Sequence, residues 1–256
     1  MKTLKLLFVS LALCVIVGLQ ASAQSFVVYD NGPIITHPGE GPDGSDASML
    51  DGAAGLSTLG FGSAWPDIAL ADDFTIPEGQ SWLVDGFNFF AYQTSATELT
   101  LNGVYAAIYD RSPAEEGAQV VWGDRNVNLF DSVSWTNIYR VSDTTMTSTA
   151  RRIQLVTARF EPVLLTGGTY WLVWSLTGTS PSGPWVPPVT YPGEDFAGNA
   201  VQLYQGSWAA AQDTGTLTQK AVPFQVTSPV PEPALMAQML FGGGLGMLAF
   251  MRRKRR

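Results

Sequence analysis

Between residues 24 and 228, apolar runs of five to ten residues recur between clusters of Gly, Pro, Asp and Asn. No window keeps a helical period for more than a turn or two, so the pattern predicts strands. Ten are expected: 26–29, 69–76, 81–92, 99–110, 118–122, 134–141, 152–160, 169–177, 201–205 and 223–227. Several alternate. Ile153 and Leu155 oppose Arg152 and Gln154; Val201 and Leu203 oppose Gln202 and Tyr204; Phe224 and Val226 oppose Gln225. Such strands have one wet face each, as in antiparallel sheets. The stretches 81–92 and 170–174 are instead apolar on both faces, which places them centrally or under loops and puts Trp171 in the core. The expected body is therefore all-β: a single antiparallel β-sandwich over residues 24–228, long enough at about 205 residues to bury one core.

Three loops interrupt the strands. Residues 31–63 are rich in Gly and Asp, residues 110–117 have a hairpin composition, and residues 180–198 carry Pro181, Pro184, Pro187, Pro188 and Pro192. Long loops on a β scaffold are the usual place for binding residues. Residues 228–233 are expected to be a proline linker.

The two ends follow a different pattern. Lys2 and Lys5 precede an apolar stretch over 6–19, and Ala21-Ser22-Ala23 is a small-residue cleavage site. This is the order of a secretory signal peptide, a signal helix over 1–23 served by the Sec translocon and signal peptidase. At the other end, residues 229–256 contain Pro231-Glu232-Pro233, an uncharged run over 234–251 and the cluster Arg252, Arg253, Lys254, Arg255, Arg256. Eighteen residues at about 1.5 Å each span roughly 27 Å, close to the hydrocarbon thickness of a bilayer. The run is expected to be a transmembrane helix. Its cationic stop stays cytoplasmic and the body lies outside.

That C-terminal order resembles the PEP-CTERM sorting tail of exported bacterial proteins: a Pro-Glu-Pro motif, a short glycine-bearing apolar helix, and an Arg/Lys cluster. The resemblance covers residues 230–256. It implies recognition and cutting near the motif by an exosortase, then delivery to the cell surface or exopolysaccharide matrix of a biofilm. A permanent single-pass anchor is the other reading of the same residues. The body more loosely resembles the jelly-roll sandwiches of carbohydrate-binding modules, in phrases such as Leu165-Thr166-Gly167-Gly168-Thr169-Tyr170-Trp171.

Charge and composition narrow the chemistry. Two lysines leave with the signal and five cations sit in the tail, so seven of the 14 remain outside against all 22 acids, a net −15. A surface this acidic repels phosphate backbones, so no nucleic-acid partner is expected. The only cysteine, Cys14, lies in the signal, which excludes disulfides and thiolate sites from the mature body. His37 is the only histidine and no Gly-x-Ser-x-Gly elbow accompanies it. The adjacent carboxylates Asp72-Asp73, Glu115-Glu116 and Glu194-Asp195 form no dyad by themselves, because neighbours on a strand point to opposite faces. No cofactor is expected. Asp43, Asp46 and Asp51 share a glycine-rich loop and are the weak candidates for Ca²⁺; their spacing matches no EF-hand, and a solvated polar loop is the preferred reading.

The remaining candidates are aromatic. All eight tryptophans lie in the body, and Trp65, Trp185 and Trp208 lie in or beside loops, where an exposed indole can stack on a sugar ring. Trp185 stands in Gly183-Pro184-Trp185-Val186-Pro187-Pro188, where prolines hold it either as a preorganised site or as a plug in the open end of the sandwich. The expected role is structural or adhesive with weak glycan binding. The alternative is a hydrolase or lyase acting on matrix polysaccharide.

Overall fold

The computed structural model describes residues 25–230. The signal segment with Ala21 and Ala23, the sorting motif Pro231, Glu232 and Pro233, the apolar run and the cationic cluster lie outside the described residues. Among the described residues no helix is long and apolar enough to cross a membrane.

The described chain is all-β, apart from one 3-10 turn at Pro42–Gly44. Its strands are β1 (Ser25–Asp30), β2 (Asp46–Leu50), β3 (Phe61–Gly62), β4 (Ala69–Ala91), β5 (Leu101–Tyr109), β6 (Val120–Gly123), β7 (Phe130–Ser142), β8 (Arg152–Gly178), β9 (Trp185–Val186), β10 (Val201–Tyr204), β11 (Ser207–Ala210) and β12 (Phe224–Pro229). Ten of these form one sheet, and β3 pairs with β9 in a small second one.

Two very long strands make the frame. β4 and β8 pair antiparallel from Leu70↔Trp174 to Ala91↔Gln154. The ladder is broken twice, between Ile76 and Ser81 and between Val84 and Gly86. Pro77 and Gly79 occupy the first break, where a missing N–H and a positive φ are tolerated. The sequence pattern breaks at these turn residues, so it predicts 69–76 and 81–92 as two strands, whereas they form the single strand β4. The stretches 152–160 and 169–177 likewise belong to the single strand β8.

On one side of the break lie β1, β12, the second half of β4, the first half of β8, β7 and β2; on the other lie β11, β10, the first half of β4, the second half of β8, β5 and β6. The sheet curls so that these halves face each other. Phe89 and Phe224 of the first half lie with ring centroids 5.2 and 5.7 Å from Trp174 of the second, and Phe87 meets Trp122 at 6.1 Å. Pairing is antiparallel except between β2 and β7, which run parallel. Asp46-Ala47-Ser48-Met49-Leu50 has little strand propensity, so only its neighbour makes it one.

Further expectations change. Two expected loops carry strands: β2 and β3 lie within 31–63, and β9 lies within 180–198. Gln154 does not face water. It is fully buried, its Oε1 accepting from the Thr100 and Leu101 amides at 2.9 and 3.2 Å while its Nε2 donates to Thr100 Oγ1. Trp171 is half-buried on the outer face beside Ala69, Val173 and Trp208; Trp174, three residues on, takes the core position. The linker starts later than residue 228, because Ser228 and Pro229 still pair with Phe26 and Ser25.

Buried polar groups tie the loops to this frame. Arg140 on β7 is fully buried, and its guanidinium donates to the Leu59 and Thr58 carbonyls at 2.9 and 3.2 Å and to Ser48 Oγ and Thr190 Oγ1 at 3.1 and 3.3 Å. Burial pulls its pKa down to about 10. Asp213, also buried, binds the same segment from the other end, accepting from the Ser57 and Thr58 amides. Burial pushes the Asp213 carboxyl up, but backbone donors from Thr58, Thr216, Gly215 and Ser57 outweigh it and hold it below the usual range. Residues 57–59 are thus clamped by two buried, opposite charges.

Candidate functional site

The clamped segment leads into β3, and β3 forms one wall of a groove of about 660 Å³. Phe61, Ile68 and Trp185 make the apolar lining, and Gln202, Gln212, Thr58 and Thr214 supply polar groups. Tyr204 and Leu217 stand at its rim, 55% and 67% exposed. Leu217 holds a positive φ of 62°, an uncommon conformation for a non-glycine residue, stabilised by its amide donating to the Asp213 carbonyl at 2.9 Å. The strand alternation expected for 201–204 holds: Gln202 and Tyr204 face the groove, while Val201 and Leu203 pack outward with Trp208.

Trp185 is held on every side except the groove. Its backbone pairs with Gly62 in the small sheet and exchanges two 2.9 Å hydrogen bonds with Tyr92. The indole Nε1 donates to Ser182 Oγ at 3.2 Å, and the ring rests near Gly62 and beside the cluster of Ile34, Tyr92, Ile138 and Ile153. Gly183 has φ 95°, and a Cβ there would lie 2.7 Å from the indole Cδ1, so only glycine fits beneath this edge. The side chain remains half-buried. A fixed aromatic face flanked by amide and hydroxyl groups, in a cleft of small-ligand size, suits a sugar ring.

The other expected residues lie elsewhere. Trp65 lines a separate cleft. Trp208, on β11, is half-buried in the outer cluster with Trp171 and Leu203 and does not line the groove. Asp43, Asp46 and Asp51 serve local backbone geometry: Asp43 sits in the 3-10 turn with φ 54°, Asp46 accepts from Gly39, and Asp51 accepts from Ala54. Among the described residues no group of three or more His, Cys, Asp or Glu is placed to hold a metal. His37 Nδ1 lies 2.9 Å from Thr36 Oγ1.

The paired carboxylates diverge. Asp72 is buried and accepts from Asn31 Nδ2, the Val222 amide and the Asp73 amide; burial pushes its pKa up to about 7 against those donors. Asp73 instead accepts from Asn199. Asp195 forms an ion pair with the buried Lys220, which holds its carboxyl below the usual range. Glu115 and Glu116 are exposed in a turn.

Sequence reasoning did not find Gln212, Thr214, Leu217 or Arg125. The first three belong to a loop tied to residues 57–58 through Asp213 and Thr214. Positive φ at a leucine leaves no compositional trace. No protein-family model matches this chain, and no curated protein matches it.

Proposed function

We propose that the chain is an exported envelope or extracellular-matrix protein, structural or adhesive in role, that binds glycan weakly through the Trp185 groove. In this reading the curled sheet is a sandwich of the jelly-roll kind. The groove carries the glycan reading: an indole fixed at Nε1 and along its backbone, with one side open to a cleft lined by amides and hydroxyls. Such preorganisation lowers the ordering cost of binding. Export and sorting are supported by the two end segments, a signal peptide at 1–23 and the Pro-Glu-Pro motif, apolar run and cationic cluster at 231–256. The partners that follow are the Sec translocon, signal peptidase, an exosortase and exopolysaccharide.

Two measurements test the two parts. Intact-mass analysis of the surface and medium fractions should find a form without the apolar run and the Arg cluster. Full-length chain found only in the membrane would favour the permanent anchor. On a glycan array, Trp185→Ala should lose at least tenfold in affinity for whichever glycan the wild type binds, with little change in melting temperature. If instead the substitution costs about 3–5 kcal/mol of stability, the range for truncating a large core side chain, and leaves glycan affinity unaltered, Trp185 is a plug.

A further inference from the structure

The segment from Gly62 to Ile68 separates the Trp185 groove from a second cleft of about 410 Å³. Trp65 and Arg125 dominate it. Trp65 stacks on Tyr105, with ring centroids 4.5 Å apart and planes inclined by 18°, and remains 37% exposed. Its Nε1 donates to the Arg125 main-chain carbonyl at 3.0 Å, which ties the platform to the backbone that carries the cation. Gly123, also in the lining, sits at φ 90° close against β5; a Cβ there would lie 2.8 Å from the Ala106 carbonyl oxygen.

Arg125 is under-used by the protein. Its Nη2 donates to Ser175 Oγ at 3.2 Å, its buried Nε has no partner, and it joins none of the ion pairs among the described residues. Burial also pulls its pKa down, the mark of a charge partly stripped of water. In a body with 21 acids for seven cations, a cleft-lining arginine without an ion-pair partner is an unmet electrostatic demand. Guanidinium geometry suits a carboxylate, which takes two parallel N–H donors. Asp124 and Asn126 line the same cleft. Asp124 Oδ1 is held by the Asn126 amide at 2.8 Å and side chain at 2.9 Å, which leaves its other oxygen able to accept from a hydroxyl. One cation, one carboxylate and an aromatic face together fit a polyhydroxylated acid better than a simple anion.

We propose that the Trp65–Arg125 cleft is a second saccharide site, selective for an acidic unit of the uronate class, whose carboxylate meets Arg125 and whose ring lies on Trp65. It shares with the proposed function only the premise that saccharides are the ligands, and it does not need the Trp185 groove to bind.

The test uses the full chain solubilised in detergent, with oligomers of glucuronic acid, their methyl esters and neutral glucose oligomers of equal length. Calorimetry or tryptophan fluorescence gives the affinities. The acid should bind at least tenfold more tightly than either the ester or the neutral oligomer, a comparison that needs no variant. Arg125→Gln should remove that preference and Arg125→Lys should keep it in weakened form, while Trp185→Ala should leave it intact. Equal binding of acid and ester, no binding of the acid, or an unchanged preference in Arg125→Gln would each overturn the proposal. Loss of the preference in Trp185→Ala would overturn it too, by moving the acid to the first groove.

Discussion

Arg140→Ala should lower the stability of the β domain by about 3–5 kcal/mol, the range for removing one member of a buried charged network. The guanidinium makes four hydrogen bonds at full burial, two of them to the Thr58 and Leu59 carbonyls. Truncation leaves those carbonyls without their donor and Asp213 without the nearby opposite charge. Each unpaired buried group costs about 1–3 kcal/mol. In a domain of this size such a loss moves the melting temperature by roughly 10 °C. Thermal unfolding of the purified protein checks it. The effect should extend to the groove, because residues 57–59 lead directly into Gly60 and Phe61 of its wall. Arg140→Lys keeps the charge but cannot reach four acceptors on separate segments, so it should recover only part of the loss. A change below about 1 kcal/mol in the alanine variant would mean that Asp213 and backbone pairing hold the loop without Arg140.

Trp174→Ala should cost a similar amount, about 3–5 kcal/mol, for a different reason. Trp174 is fully buried where the two halves of the curled sheet meet, against Phe89 and Phe224. Removing it opens a cavity that neither half can close, since both are fixed by the β4–β8 ladder. Trp174→Phe should be much milder. Its indole Nε1 has no hydrogen-bond partner, so phenylalanine removes an unsatisfied donor while keeping most of the packing. Chemical denaturation of both variants separates the two terms. If the phenylalanine variant loses as much as the alanine variant, shape at this position matters more than the unpaired donor.

The two tryptophans of the candidate clefts illustrate how far composition carries. The proline-rich phrase around Trp185 announces a restricted backbone, and the structure holds its main chain at Tyr92 and its indole at Ser182 beside a groove. Nothing local announces that Gln212, Thr214 and Leu217 stand opposite it. They are brought there by Asp213, through backbone amides more than 150 residues away in sequence. Trp208 looked equivalent to Trp185 in its loop setting, yet strand alternation turns it outward with Leu203.

What the chain settles by itself is the part that depends on local pattern. Apolar runs between turn residues dictate an all-β body, because a period of two puts one face of each strand on the core. Most strand positions follow, among them Val201–Tyr204 and Phe224–Pro229 with their alternating faces. What only the tertiary structure decides is continuity, register and burial of polar groups. Pro77 and Gly79 look like a turn but sit in a bulge, since the partner strand continues past them and keeps the ladder in place. Gln154 looks like a wet-face residue but is buried, because the Thr100 and Leu101 amides need an acceptor there. Arg140 and Arg125 look alike in sequence. One is spent on four protein acceptors, and the other lines a cleft with only Ser175 as its partner. That difference arises from contacts between segments far apart in the chain, which no local pattern encodes.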